Sequence, residues 1–330
     1  MTTISIKRRG FMAGAAAAGG LLAAPGLLRA QSYATDTVRI IVGNAAGGSN
    51  DTLARFIAPV MERELGQPVI VVNRPGAGSM IGLTEVLGAK PDGHTIFCSS
   101  AAVLSVAHMN ENPPGNPVTD LEHITTIGEG AFRIVINIEN GIETYDQMIT
   151  HLKENPGSLR HATPGFGGNI HLMTEIFKNR AGIDMPAVHY NSVGNILTDL
   201  LGNEIQVGFT GPHLTKPYIE EGKLYPLATT GTMDDADYPD IPKTIDLGLT
   251  DVDKFRNWFG LHVPKGTGDD IVNQIYEATK AALQDPDVES GIKANNFLIG
   301  GITPAEFTEV MVSEDKVYAE AAALVAGQEG

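Results

Sequence analysis

The sequence predicts a two-domain α/β protein with mixed, mainly parallel sheets, on three observations. Short β-branched runs alternate with amphipathic segments almost from end to end, the rhythm of βαβ units. Polar and glycine-rich stretches fall where a strand gives way to a helix. With 330 residues, 42% of them hydrophobic and 19% charged, the chain has enough core for two domains without disulfide staples.

The elements justify that reading in turn. Val38–Val42 predicts a strand. Asp51–Leu65 predicts a helix, with Leu53, Phe56, Ile57 and Val60 at helical spacing and Gly66 as its stop; Pro59 is expected to kink or interrupt it. Val69–Val72 and Thr95–Cys98 predict strands around a Met80–Leu87 helix. The middle third repeats the pattern: strands at Ile134–Ile138, Leu159–Ala162, Val188–Tyr190 and Gln206–Phe209 are interleaved with helices at Tyr145–Glu154, Ile170–Asn179, Ile196–Leu201 and Tyr218–Glu221. The last third predicts a strand at Trp258–Val263, helices at Asp269–Leu283 and Asp287–Ala294, and a long terminal helix toward Val325. Thr303-Pro304-Ala305-Glu306 opens that last helix as a capping box with proline at the first helical position. The final helices are expected to pack back on the first domain. Asn112–Pro117 reads as a surface loop just before the chain crosses between domains.

The first thirty residues read as an export signal. Lys7, Arg8 and Arg9 precede an apolar run from Ala13 to Leu28, with cleavage expected near Ala30. Paired arginines before Phe11 fit a twin-arginine signal as well as a general secretory one. Pro25 and Arg29 leave the run short of a ~20-residue membrane span. Removing residues 1–30 takes away four basic residues and no acidic one, leaving 19 basic against 39 acidic and a net charge of −20. So acidic a chain lacks the basic face that nucleic acid requires. Its overall field repels anions, and an anionic ligand must be held by local donors. The single cysteine, Cys98, excludes internal disulfides and multi-thiolate zinc sites.

The glycine-rich turns supply such donors. Gly43-Asn44-Ala45-Ala46-Gly47-Gly48-Ser49-Asn50-Asp51 follows the first strand, Asn73-Arg74-Pro75-Gly76-Ala77-Gly78-Ser79 the second and Ser99-Ser100 the third. Pro164-Gly165-Phe166-Gly167-Gly168-Asn169, Tyr190-Asn191-Ser192-Val193-Gly194 and Thr210-Gly211-Pro212 do the same in the second half. Glycine lets the backbone approach a ligand, and a helix N-terminus presents unpaired N–H groups with partial positive charge. Such a turn holds a carboxylate or phosphate without a basic side chain. Ligands of open α/β sheets bind beyond the carboxyl ends of the strands.

In this order the turns resemble those of the substrate-binding proteins of tripartite tricarboxylate transporters, the Bug family. The carrying residues are Ala46-Gly47-Gly48-Ser49-Asn50-Asp51, Leu65-Gly66-Gln67-Pro68 running on to Asn73-Arg74-Pro75-Gly76-Ala77-Gly78, and Pro91-Asp92-Gly93-His94-Thr95. His189-Tyr190, Leu200-Leu201-Gly202, Gly222-Lys223-Leu224, Pro239-Asp240-Ile241-Pro242-Lys243-Thr244 and Trp258-Phe259-Gly260-Leu261 support it over essentially the whole mature chain. The resemblance implies a two-lobed periplasmic binding protein fold of type II-like topology. Residues 31–130 with 255–330 would form one lobe and residues 131–254 the other, closing over a small mono- or dicarboxylate for delivery to integral-membrane transporter subunits. It implies ligand contacts from Gly47, Gly48, Ser49 and Asp51 in the first lobe and Gly167, Gly168, Asn169 and His171 in the second. Gly78, Ser79, Ser99, Tyr190 and Thr210 are implied as cleft wall. No cofactor, metal or catalytic residue is implied, and a monomer is expected. Departures from the family pattern, Ala46 for proline, Asn191 for a basic residue and Phe-Thr-Gly-Pro around Thr210, fall in the implied site and bear on ligand identity.

From the residues themselves, Asp51 is either a first-turn carboxylate favoured by the helix dipole or a group that orients bridging water or a ligand amine. His171 is either a neutral hydrogen-bonding histidine or a cationic ligand contact. Trp258 reads as a packing anchor, and Arg74 as a surface or hinge-pairing residue. A nucleotide-dependent enzyme is disfavoured: Ile81 breaks the closer dinucleotide fingerprint, and nucleophile-elbow, zinc-protease and Walker A motifs are missing from the sequence. A ligand-sensing receptor for a membrane sensor kinase would share the same scaffold.

Overall fold

The computed structural model describes residues 33–190, 193–232, 234–295 and 297–326. The expected export segment and Asn191-Ser192 lie outside the described residues. The chain first lays down β1 (Val38–Val42), α1 (Ser49–Leu65), β2 (Val69–Asn73), α2 (Met80–Leu87), β3 (Thr95–Ser100), α3 (Ala102–Met109) and β4 (Leu121–Gly130). It then runs through β5 (Arg133–Asn137), α4 (Tyr145–Glu154), β6 (His161–Thr163), α5 (Asn169–Ala181), β7 (Ala187–His189), α6 (Val193–Leu201), β8 (Val207–Thr210), α7 (Pro212–Glu220) and β9 (Leu224–Thr229). It returns as β10 (Asn257–Pro264), α8 (Asp269–Leu283), α9 (Pro286–Ala294), β11 (Leu298–Ile299) and α10 (Pro304–Ala326).

Two sheets result, in the two-lobed arrangement of periplasmic binding proteins. One has the order β11-β4-β10-β3-β1-β2, the other β7-β6-β8-β5-β9. Both are mixed. β1 pairs in parallel with β2 and β3, and β6 with β7 and β8. The antiparallel pairs are made by β4, β5 and β10, the strands nearest the crossings between sheets, with β9 and β11 at sheet edges. β4 stands between the Asn112–Pro117 loop and the crossing at residues 131–132, so that loop is not the last segment before the crossover.

Pairing alternates side chains between two cores. Val38, Ile40 and Val42 of β1 face a cluster built with Leu53, Ile57 and Met61 of α1 and Ile275 and Ala282 of α8. Ile41 faces the other way, into a cluster that runs through both lobes and takes in Phe97, Ile134, Phe177, Phe209, Met311 and Tyr318. α1 continues unbroken through Pro59. The carbonyl that Pro59 leaves without an N–H partner belongs to Arg55, and both residues are solvent-exposed, where water can serve it.

α10 begins as its sequence predicts: Thr303 N–H donates to Glu306 Oε2 at 2.8 Å, and Glu306 N–H to Thr303 Oγ1 at 3.3 Å. The helix lies against α3 and β4 of one lobe and α5 of the other. Trp258 is fully buried as an anchor, and its Nε1–H donates to Glu314 Oε2 of α10 at 2.7 Å. Glu314 is 2% exposed, its Oε1 has no partner, and burial pushes its carboxyl up to about 8. The folded chain therefore holds a proton there that the unfolded chain releases at ordinary carboxyl pH. The stabilising share is complete below the unfolded value and is lost as pH rises toward 8, a swing on the order of a few kcal/mol. Glu314→Gln should flatten the fall in urea-denaturation stability between the ordinary carboxyl value of 4.5 and about 8. An unchanged slope would show that Glu314 does not carry it.

Candidate ligand-binding site

The two sheets repeat one topological device. β1 sits between β2 and β3, and β6 between β7 and β8. In each sheet the chain leaves the central strand toward one neighbour and later returns on the other side, which opens a crevice at the strands' carboxyl ends. The turns leaving β1 and β6 fill these two equivalent places.

The turns share one conformation. Gly47 and Gly167 have φ of +83° and +68°, left-handed values that suit glycine. Gly48 (φ −76°, ψ 169°) and Gly168 (φ −72°, ψ 166°) then cap α1 and α5 in extended geometry, with no side-chain cap. The first-turn N–H groups of both helices are left for solvent or a ligand. Each turn is braced from the fourth residue on: Gly47 N–H donates to Asp51 Oδ2 and Gly167 N–H to His171 Nδ1, both at 2.9 Å.

These braces give Asp51 and His171 a structural part in their turns. Asp51 is 3% exposed. It also accepts from Arg55 Nε at 3.0 Å and from Asn73 Nδ2 at 3.0 Å. Burial pushes its carboxyl up, but the hydrogen bonds from Arg55, Gly47 and Asn73 outweigh this and hold it below its ordinary value. It is an ionised strut of the turn. His171 is 2% exposed; burial, with His189 close by, lowers it to about 4, and Nδ1 accepts a proton donor. It is a neutral histidine that shapes its turn.

Between the lobes lies a cavity of about 260 Å³. Asn44, Gly48, Ser49, Asn50 and Ser100 line it from the first switch point. Pro164, Ile170, Thr210, Gly211 and Leu214 line it from the second lobe. Phe132, Ile196, Phe209, Asn257, Phe259 and Phe297 complete the wall, which carries no charged side chain.

Of the residues singled out from the sequence, Gly48, Ser49 and Thr210 line this cavity. Gly47, Asp51, Gly167 and His171 build the turns behind it. Asn169 opens α5, and its Oδ1 accepts from Tyr318 of α10 at 2.5 Å, a bond that ties the second turn to the helix spanning both lobes. Gly167 lies under Met109 from the end of α3: a Cβ there would come within 2.8 Å of Met109 Cγ. Gly78 (φ +61°) and Ser79 (φ +78°) take left-handed backbone conformations in the turn after β2. Ser79 lies so close to Gly43 that a Cβ on Gly43 would meet it at 2.5 Å. Ser99 turns into the sheet, where its Oγ meets His262 Nε2 at 2.9 Å, while its neighbour Ser100 faces the cavity. Tyr190 folds back to donate to Asp199 Oδ2 at 2.6 Å. Asn44, Asn50, Ser100, Asn257 and the four phenylalanines of the wall were not singled out. Period-two alternation along β3 points to Ser100, whereas the phenylalanines meet only through tertiary folding.

Arg133 is fully buried near the lobe crossing, and four of its five guanidinium N–H groups are engaged. Nε and Nη2 donate to Asp235 at 2.7 and 2.5 Å, Nη2 to Asp237 at 3.0 Å, and Nη1 to the Pro212 carbonyl at 3.0 Å. Arg74 pairs with Glu85 at 2.6 Å. Among the described residues, those lining this cavity include no cation.

Two lobes, a cleft at paired switch points and caps that leave helix N–H groups open define a solute-binding protein. The chain belongs to the TctC family, the tripartite tricarboxylate transporter family receptors, whose model matches residues 53–300. It is 30% identical over 323 residues to the UPF0065 protein in the gbd 5'region of Cupriavidus necator, covering 97% of this chain and 98% of the relative. It is 30% identical over 285 residues to Protein BugT of Bordetella pertussis, covering 86% and 85%. Among solved structures, a periplasmic transporter shares 31% identity at a TM-score of 0.74, covering 87% of this chain and 96% of that one. MatC from Rhodopseudomonas palustris with bound malate shares the fold at 23% identity and a TM-score of 0.71, covering 87% and 99%. A second R. palustris protein, with adipate, does so at 22% identity and 0.74, covering 88% and 98%.

Proposed function

We propose that this protein is an exported periplasmic receptor that captures a small mono- or dicarboxylate between its lobes and delivers it to the membrane subunits of a tripartite tricarboxylate-type transporter. Binding, with no chemical step, is its activity. The observation that carries this reading is the charge-free cavity wall beside the open N-terminus of α1, with the matching tip of α5 on the other lobe. Desolvating a carboxylate is expensive, and N–H donors fixed by the fold replace its water without the entropy of a mobile side chain. In an acidic protein, such donors also supply local positive potential where the ligand sits. The malate and adipate held by fold neighbours agree in chemical class. Ligand contacts that exist only when both lobes meet would favour the closed form.

Thermal unfolding of the mature chain against a broad panel of organic acids tests the proposal. A ligand bound only by the folded state stabilises it by about 2.7 kcal/mol at 100 times its Kd. At least one carboxylate should raise the melting temperature by several degrees. A panel in which no acid does so while a nucleotide does would overturn the reading.

A further inference from the structure

We propose that the captured acid is amphipathic: a monocarboxylate whose alkyl or aryl body extends past Phe297 into a second cavity. This rests on the carboxylate reading above and narrows it. The second cavity, of about 300 Å³, lies beside the first, and Phe297 lines both. Three pairs of consecutive residues are split between them, Gly211 and Pro212, Phe132 and Ala131, Asn257 and Arg256, so the two cavities adjoin across these segments. Phe297 stands edge-on to Phe259, ring centroids 5.1 Å apart, which leaves an aromatic edge at the junction.

Apolar side chains of Ala131, Pro212, Phe255 and Leu298 line the far cavity. Five carboxylates also line it (Glu129, Asp234, Asp235, Asp237 and Asp253), against two cations, Arg256 and Lys293. Arg256 pairs with Glu129, and Lys293 with Glu289 at 2.5 Å. A second carboxylate placed there finds both lining cations already paired. Four of the five acids are already matched: Asp235 and Asp237 by Arg133, Asp234 by Lys243 at 2.7 Å, and Glu129 by Arg256. A hydrocarbon body gains by leaving water and meets neither objection. Neutral donors at the α1 tip would then take the carboxylate, and the apolar surfaces beyond Phe297, among acids that are mostly already paired, would take the hydrocarbon body. Each cavity alone is near the lower end of the ~300–1,000 Å³ typical of small-molecule sites.

Isothermal titration calorimetry on the unmodified exported chain decides the point. The probes are straight-chain monocarboxylates from butanoate to decanoate and 3-phenylpropanoate, with malate and adipate for comparison. Affinity should climb about fourfold per added methylene until the second chamber is full. Ala131→Trp, which fills part of that chamber, should end the climb at a shorter chain. A flat or falling series with malate or adipate bound more tightly overturns the amphipathic ligand and leaves carboxylate capture standing. Failure of every acid to bind overturns both. The series on the unmodified protein separates these outcomes even if the variant does not fold.

Discussion

Gly48→Leu should leave the chain folded and unable to hold its acid, with affinity in calorimetry reduced at least ~100-fold, or about 3 kcal/mol. The backbone at Gly48 is extended, a conformation open to any residue, and an added Cβ meets only the Ala45 carbonyl, at 3.3 Å. That contact is tight, and the Ala45 carbonyl must give by a few tenths of an ångström to admit the change. Gly48 lines the cavity and caps α1, so a leucine side chain takes ligand space and covers first-turn N–H groups. Gly168→Leu probes the equivalent cap of α5, where the nearest atom to a new Cβ is the Gly165 carbonyl at 3.5 Å. Gly47 and Gly167 are poorer tests, because their positive φ strains any substitute and Met109 crowds the second. Unaltered affinity in a folded Gly48→Leu protein would falsify the proposed site.

Asp235→Ala is expected to cost ~3–5 kcal/mol of folding stability in urea denaturation, because it strips a buried guanidinium of its main partner. The Arg133 side chain is 0% exposed and Asp235 1%. Asp237, at 13%, makes the lesser bond, and Asp237→Ala should cost distinctly less. Arg133 lies at the start of β5, just past the crossing, and also donates to the Pro212 carbonyl at the head of α7. Loss of Asp235 should therefore loosen the crossover and the α7 tip together. Replacing Arg133 and Asp235 together by apolar residues of similar volume should recover much of the loss. Equal effects of Asp235→Ala and Asp237→Ala would contradict this ranking.

Periodicity and glycine punctuation made most of the fold legible. β1, α1, β2, α2 and the Thr303 capping box stand where pattern and cap chemistry place them. The elements not read from the sequence fail for identifiable reasons. β4 is built on Thr125, Thr126 and His123, buried polar residues that break apolar alternation. β9 contains Pro226, which argues against a strand; it survives as an edge strand, with a register irregularity where Val135 meets Pro226. α3 is a short apolar run that helix and strand share. For the site, the turns were legible because a cap without a side chain is written in adjacent glycines. The aromatic wall was not, because Phe132, Phe209, Phe259 and Phe297 come from four distant segments. Asp51, His171 and Asn169 were legible as belonging to the turns; their bonds to Gly47, Gly167 and Tyr318, and their place outside the cavity lining, are fixed only by the folded backbone.

The wall of the interlobe cavity contains amides, hydroxyls, glycines and hydrocarbon, and no group that gains or loses a proton in ordinary water. A receptor built this way has no acid–base switch of its own at the point of contact. In the proposed binding mode the guest's ionisation is the proton equilibrium at the wall itself, and capture should hold constant where the guest stays an anion and the titrating groups behind the wall, Asp51, His171 and Glu314, keep their charge state.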